Sequence, residues 1–432
     1  MLRPQLAEFM KRLGRDSVAI VSSAREATRS NDTHYRFRQD SDFYYLTGFD
    51  EPEAIAVIAP GHPEHPYMLF VRPRDPEREV WDGRRAGVEG AQSEYGADAA
   101  FAVDEFDEKL SDLLNGAENL YYRIGNGNPD LDERVISHIR RMRAMGRKGV
   151  APPQAIIDTG SILHEMRLIK SAEEIEIMQR AADIAAEGHR EAMRAARPGM
   201  MEYEIEALIE YTFRRNGAAA PAYTSIVGGG ANATVLHYVN NDAELKDGDL
   251  LLIDAGAEYR GYASDITRTF PVNGRFTDAQ RELYELVLES QTACIEMSRP
   301  GVSIDELHQR SVEILTEGMV RLGLLQGDVA KLIEEEKYKQ FYMHRLGHFL
   351  GMDVHDVGRY HQRDESRRVE PGMVMTVEPG LYVAPDTKDI PEKFLGLGIR
   401  IEDDVLITDD GHRVLSSKAP KQVEEIEALM AR

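Results

Sequence analysis

The chain has 432 residues, is 42% apolar and 29% charged, and its 52 Lys+Arg against 75 Asp+Glu leave a formal net charge of −23. That composition excludes a disordered chain, a collagen-like repeat and a disulfide-stapled scaffold, and at roughly 150 residues per domain it predicts two or three domains with ample core. So strongly anionic a chain repels phosphate backbones and anionic headgroups, so neither nucleic acid nor a membrane is an expected partner. The lone Cys294 allows no internal disulfide, no zinc ribbon and no thiol-redox pair, which fits a reducing compartment. The opening MLRPQLAEFMKRLG has no apolar core of signal-peptide type, and no run of 18 apolar residues occurs. The expectation is a soluble, cytoplasmic protein.

In chain order, SVAIVSS (17–23), EAIAVIAP (53–60), YMLFVRP (67–73) and NLYYRIG (119–125) read as strands. Residues 104–115 and 129–145 read as amphipathic helices, which makes the N-terminal third an α/β pattern. GNGNP at 125–129 lacks a complete dinucleotide fingerprint and reads as a turn. The pattern breaks at RKGVAPPQ, near a domain boundary. Ser171 with Glu174 then forms a capping box, after which Ile175, Met178, Ala182 and Ala185 recur on one helical face. A helix over 202–215 ends at Asn216-Gly217. Helices over 276–297, 303–323 and 328–338 are segregated from the strands DLLLIDAG, YASDITRTF, MVMTVEP and IRIEDDVLIT, so this part reads as α+β.

The chemistry concentrates in those strands. A four-residue turn at Glu258-Tyr259-Arg260-Gly261 would place Asp254 directly opposite Asp265, with Cβ atoms ~4.5–5.5 Å apart. Facing carboxylates repel unless a cation or proton lies between them. Two exposed aspartates near a turn is the plainer reading, but their place inside LLLID and SDITRTF argues against it. His344, His348 and His355 are three of the 13 histidines within twelve residues. Packing or surface roles would account for them singly; together they suggest metal or proton chemistry. A zincin helix is excluded because Arg345 follows His344, and the match begun by His164-Glu165 fails at Leu168. Glu378 ends an apolar strand before Pro-Gly, and Glu402 lies on a strand with Arg400 on the same face. One histidine and four carboxylates suit Mn(II), Co(II) or Zn(II), and four negative charges neutralise two divalent cations. Such a pair implies metal-assisted hydrolysis.

In this spacing Asp254, Asp265, His348, Glu378 and Glu402 resemble the dinuclear metal site of the pita-bread metallopeptidases. The motifs RQDSDFYYLTGFDEPEA (38–54), VWDGRRAG (80–87), HEMRLIKSAEEI (164–175), SIVGGGANATVLHY (225–238), LGMDVHDVG (350–358), TVEPGLYVAPD (376–386) and GIRIEDD (398–404) are similar to those of the bacterial aminopeptidase P family, nearly end to end. The resemblance implies an α+β pita-bread catalytic domain over 166–432 behind an N-terminal α/β domain over 1–165. It implies two divalent metal ions, Mn(II) first with Co(II) or Zn(II) as alternatives, and cleavage of the Xaa-Pro bond at the N-terminus of peptides with proline second. His348 would ligate one metal and Asp254 the other, with Asp265, Glu378 and Glu402 shared, and Glu378 the proton acceptor. His237 and His355 would contact substrate and steady the oxyanion, with His344 nearby and Tyr223 in the substrate pocket. Arg400 and Tyr382 would orient ligands and relay protons. Asp32 and Trp81 match residues that the family places at a neighbouring subunit's site, which implies a homo-oligomer, a tetramer built as a dimer of dimers. The segment 362–372 carries one extra residue, so Arg363, Arg367 and Arg368 remain equal candidates for a substrate-contacting arginine. A prolidase limited to dipeptides, or a silent peptide-binding protein on the same fold, are the competing readings.

Overall fold

The computed structural model describes residues 3–431, which divide between Met166 and Arg167 into two compact units. The N-terminal unit is built on a mixed sheet of β1 (Ser17–Ser22), β2 (Ile55–Ile58), β3 (Tyr67–Val71), β4 (Ala99–Ala102), β5 (Asn119–Tyr121) and β6 (Ala155–Ile157), in spatial order β4-β3-β2-β1-β5-β6. The pairs β1–β2 and β2–β3 are antiparallel, whereas β3–β4, β1–β5 and β5–β6 are parallel. Strands β2 and β3 are buried along their whole length, so they read as unbroken apolar runs and not as alternation. Val18, Ile20, Val57 and Phe70 share one core with Phe106, Leu110 and Leu114 of α2 (Phe106–Leu114) and Leu131, Val135 and Met142 of α3 (Pro129–Ala144), while α1 (Pro4–Leu13) buries Leu6, Phe9 and Leu13. GNGNP is the turn into α3, and Asn128 caps that helix through the Leu131 N–H at 3.2 Å. Two strands of this sheet escape sequence periodicity. The alanines of β4 carry little strand propensity, and β6 follows Pro152-Pro153 inside the stretch that reads as a linker.

The C-terminal unit packs α4 (Ala172–Ala195), α5 (Glu202–Arg215), α6 (Asp278–Met297) and α7 (Ile304–Leu322) against antiparallel strands. One sheet orders β7 (Ile226–Gly229), β8 (Leu250–Asp254) and β11 (Thr267–Pro271) side by side. The capping box at Ser171 forms: Glu174 Oε2 accepts from Ser171 N at 2.9 Å and Ser171 Oγ accepts from Glu174 N at 3.4 Å. The core joins Ile184, Ala185 and Met193 of α4, Ile209 and Phe213 of α5, Leu251 and Ile253 of β8, Leu283 and Val287 of α6, and Leu315 and Met319 of α7. The helix expected over 328–338 stops at Glu334, because Glu336 takes a left-handed φ of 53° before a short 3-10 turn over Lys337–Gln340. No helix among the described residues is long and apolar enough to cross a membrane.

The hairpin that carries the two aspartates closes differently from the sequence expectation. Strands β9 (Ala257–Tyr259) and β10 (Tyr262–Ala263) pair Tyr259 with Tyr262, leaving a two-residue turn at Arg260-Gly261. Both turn residues have positive φ, 51° and 81°, as a tight hairpin with the native strand twist requires. Asp254 therefore pairs with Thr267 and not with Asp265. The register slides by two residues, and because side chains alternate with period two, both aspartates stay on one face as diagonal neighbours. Between the two ladders sits Gly256, where any Cβ would collide with the Ser264 carbonyl. Only glycine lets the strands approach there.

Candidate active site

Four strand ends and one irregular segment bring the five expected donors together. Asp254 closes β8, and Asp265 lies just before β11. Glu378 sits between β12 (Val374–Val377) and β13 (Gly380–Tyr382), and Glu402 between β14 (Gly398–Arg400) and β15 (Asp403–Ile407). His348 is held beside β12 by its own backbone, with Thr376 N donating to His348 O at 2.9 Å. His348 Nε2 lies 3.4 Å from Asp265 Oδ2 and 3.5 Å from Glu378 Oε1. Donor atoms of Asp265, His348 and Glu402 all fall within 4.8 Å of one another. The Tyr223 hydroxyl reaches Asp254 Oδ1 at 2.6 Å and Asp265 Oδ1 at 2.5 Å.

The electrostatics of this cluster call for positive charge. A hydroxyl has one hydrogen, so Tyr223 serves one of its two carboxylates at a time. Burial, with the neighbouring carboxylates, pushes Glu378 up to about 7 and raises Asp265 and Glu402 as well. Burial also works against the His348 imidazolium, but the Asp265 hydrogen bond and the charges of Glu378 and Asp265 outweigh it and lift the group to about 9. Four carboxylates and one imidazole, stacked at this density with oxygen donors dominating, fit divalent cations of the Mn(II), Co(II) or Zn(II) kind. Residues Asp254, Asp265, His348, Glu378 and Glu402 are the ones that could hold them.

Around the donors runs a chain of hydrogen bonds. Arg400, 3% exposed, gives Nη2 to Asp254 Oδ2 at 2.6 Å, Nη1 to the Tyr382 hydroxyl at 3.0 Å and Nε to Thr267 Oγ1 at 3.1 Å. His344 Nε2 meets the same Tyr382 hydroxyl at 2.9 Å, and burial together with Arg400 holds that imidazole down at about 4, neutral. His355 stands edge-on to His348 with ring centroids 4.3 Å apart, and burial and the His348 charge lower its basicity. His237 is close enough to add to that effect. Asp32 and Trp81 belong to the N-terminal unit. Asp32 lies at the tip of an exposed ribbon pairing Thr28–Ser30 with Thr33–His34, and Trp81 is 84% exposed on the helix Pro76–Asp82. Arg367 and Arg368 are engaged with Glu370 at 3.1 Å and Glu306 at 2.6 Å, while Arg363 sits at a hairpin tip with φ 59°.

Several residues at the site carry no signal strong enough to single them out in the sequence. Thr267 Oγ1 donates to Glu402 Oε2 at 2.6 Å, and Thr376 Oγ1 accepts from His348 N at 3.0 Å and donates to Glu378 Oε1 at 3.2 Å. Asp404 accepts the Asp265 N–H at 3.1 Å. Each stands two residues from a donor (Asp265, Glu378 or Glu402), so strand periodicity is the clue that finds them. Glu202, fully buried, accepts from Gly229 N, Asn232 Nδ2, the Tyr238 hydroxyl and Ala243 N at 2.7–3.0 Å, and so pins the segment that carries His237. Nothing in the sequence separates it from an ordinary acid in a first helical turn.

Residues 176–409 match the model of metallopeptidase family M24, and residues 3–121 match that of the aminopeptidase P N-terminal domain. The chain is 49% identical over 415 residues to Xaa-Pro aminopeptidase of Escherichia coli, covering 96% of this chain and 93% of that one, and 38% identical to human Xaa-Pro aminopeptidase 3 over 96% of this chain and 81% of that one. The solved structure of Pseudomonas aeruginosa aminopeptidase PepP aligns with a TM-score of 0.96 at 51% identity, covering 100% of this chain and 99% of that chain. Zn-substituted E. coli aminopeptidase P in complex with product aligns with a TM-score of 0.95 at 47% identity, covering 100% and 98%. The match to metallopeptidase family M24 over more than half of the chain, preceded in sequence by an aminopeptidase P N-terminal domain, places the chain in metallopeptidase family M24, as a metal-dependent hydrolase of the aminopeptidase P family.

Proposed function

We propose that the protein removes the N-terminal residue from peptides whose second residue is proline. The observation that carries this reading is the five-donor cluster, in a chain that follows E. coli Xaa-Pro aminopeptidase over 96% of its length. The bond in question is a tertiary amide. Its nitrogen has no hydrogen and proline fixes φ, so a pocket that recognises an amide N–H cannot hold it.

Asp254, Asp265, His348, Glu378 and Glu402 would hold two divalent ions, Mn(II) first, with Co(II) or Zn(II) as alternatives. Such ions would supply Lewis-acid polarisation of the scissile carbonyl and would acidify the attacking water. Glu378 accepts the proton of that water and returns it to the proline nitrogen, which has to be protonated to leave. His355 and His237 donate hydrogen bonds to the oxygen on which charge develops. Tyr382 and Arg400 fix the orientation of Asp254 and link it to His344, and Tyr223 spans Asp254 and Asp265. Catalysis belongs to residues 166–432. Residues 1–165 complete the pocket of a neighbouring copy through Asp32 and Trp81 in a cytoplasmic homotetramer; an indole 84% exposed to water is the kind of surface that an interface covers.

The deciding experiment compares tripeptides Xaa-Pro-Yaa with dipeptides Xaa-Pro on the metal-loaded chain. Release of Xaa from the tripeptides supports the proposal. Turnover of dipeptides alone makes the protein a prolidase, and binding without turnover makes it a silent peptide-binding protein.

A further inference from the structure

His355 presents an exposed imidazole from a segment with no regular secondary structure, residues 351–358. Among the described residues its ring contact is with His348, and one such contact does not fix both the position and the tilt of the loop. The next residue is its opposite. Asp356 is 5% exposed, and both of its carboxylate oxygens are claimed: Oδ1 accepts from Arg167 Nη2 at 2.6 Å and Oδ2 from Lys170 Nζ at 3.0 Å. Arg167 and Lys170 are themselves 3% and 4% exposed, and Arg167 Nη2 also reaches Asp353 Oδ2 at 2.7 Å, two residues before His355. Asp356 N donates to Phe349 O at 2.8 Å, which closes the loop at its base. At Gly351 a Cβ would overlap Asp356 Oδ2, so the carboxylate lies across backbone that only glycine leaves open.

We propose that this buried cluster of Arg167, Lys170 and Asp356 is a positioning device for His355. Buried ion pairs add little net stability, because desolvation offsets their attraction, but two cations on the two oxygens of one carboxylate define a direction. The loop is thereby fastened on both sides of the histidine, at Asp353 and at Asp356. Asp356 is a positioning residue: it acts on the reaction through the place of the His355 ring.

The test is a double-substitution cycle on kcat for an Xaa-Pro-Yaa tripeptide, using the full metal-loaded chain with Asp356→Asn, His355→Ala and the pair. Asp356→Asn is expected to lower kcat on the order of 10- to 100-fold, with KM and bound metal within about twofold, as for a reacting group displaced by ~1 Å. In the His355→Ala background it should then change kcat by less than about twofold, since the group it positions is gone. Equal losses in both backgrounds would overturn the proposal, because the cluster would then act on the fold or on the donors. If Asp356→Asn does not fold, Lys170→Met, which keeps the Arg167 pair, runs the same cycle with a smaller loss, and Lys170→Arg should rescue it. Crystal structures give a readout independent of turnover: a displaced 351–358 loop beside an unmoved five-donor cluster supports the device, and an unmoved loop refutes it. The inference rests on the proposed Xaa-Pro activity, and the two fail separately. An unsubstituted chain that leaves Xaa-Pro-Yaa peptides uncut removes the activity, while the crystal structures still decide the positioning.

Discussion

Replacing Thr267 by valine removes one hydroxyl from the site and almost nothing else. Thr267 is fully buried, valine has the same shape, and the backbone bonds at this position, Glu402 N to Thr267 O at 3.1 Å among them, are untouched. What is lost is the 2.6 Å bond to Glu402 Oε2 and the acceptor for Arg400 Nε at 3.1 Å. A hydrogen bond to a charged group contributes about 1.5–3 kcal/mol. Arg400 keeps its contacts to Tyr382 and Asp254, so most of the loss falls on the orientation of Glu402. Groups that orient metal ligands change affinity by about 10- to 100-fold, which is about 1.4–2.8 kcal/mol and matches the hydrogen-bond figure. Thr267→Val should therefore weaken metal binding by about that factor in a chelator-competition titration, with the fold intact by circular dichroism. A dissociation constant within about twofold of the parent would refute the assignment of Thr267 to Glu402.

The remaining expectations concern the histidines, acid stability and assembly. His348→Ala should lose bound metal and activity together. His355→Ala should keep metal by elemental analysis while kcat/KM falls by about 10²-fold, as for one lost oxyanion donor; metal loss in His355→Ala would reverse the two roles. Burial opposes ionisation of Asp403, but Arg268 at 2.7 Å, Lys421 at 2.6 Å and the Ser416 hydroxyl outweigh it and hold its carboxyl well below the usual range. A depressed folded-state pKa contributes stability above the unfolded value near ~3.9 and loses it as pH falls below. In urea titrations Asp403→Asn should thus cost more stability at pH 7 than at pH 3, and an equal cost at both would contradict that ionisation. Asp32→Ala and Trp81→Ala should weaken turnover of longer peptides with metal content unchanged. A strictly monomeric, fully active species in sedimentation would show that no neighbouring copy contributes.

Four of the five candidate donors, Asp254, Asp265, Glu378 and Glu402, stand out in the sequence because each acid adjoins an apolar run, where a solvated carboxylate has little reason to stand, and His348 stands out as one of three histidines within twelve residues. The same period-two logic keeps Asp254 and Asp265 on one face although the hairpin closes two residues away in register from the turn the sequence suggests; the positive φ at both Arg260 and Gly261 is what tightens it. Helices with explicit caps, such as that beginning at Ser171, were readable to within a residue or so. What stayed hidden depends on contacts between distant segments. The alanine-rich strand Ala99–Ala102 forms because the neighbouring strand Tyr67–Val71 supplies its partner, and Glu202 becomes a loop anchor only once Gly229, Tyr238 and Ala243 close around it. Trp81, the one indole of the chain, is 84% exposed on the helix Pro76–Asp82, which no sequence pattern announces.

The central claim is tested most directly by hydrolysis of an Xaa-Pro-Yaa series after exhaustive chelation and again after adding back Mn(II). The donor set of one imidazole and four carboxylates predicts that cleavage is abolished by chelation and restored by Mn(II), with Xaa as the released product. Full activity in protein shown by elemental analysis to hold no metal would contradict it.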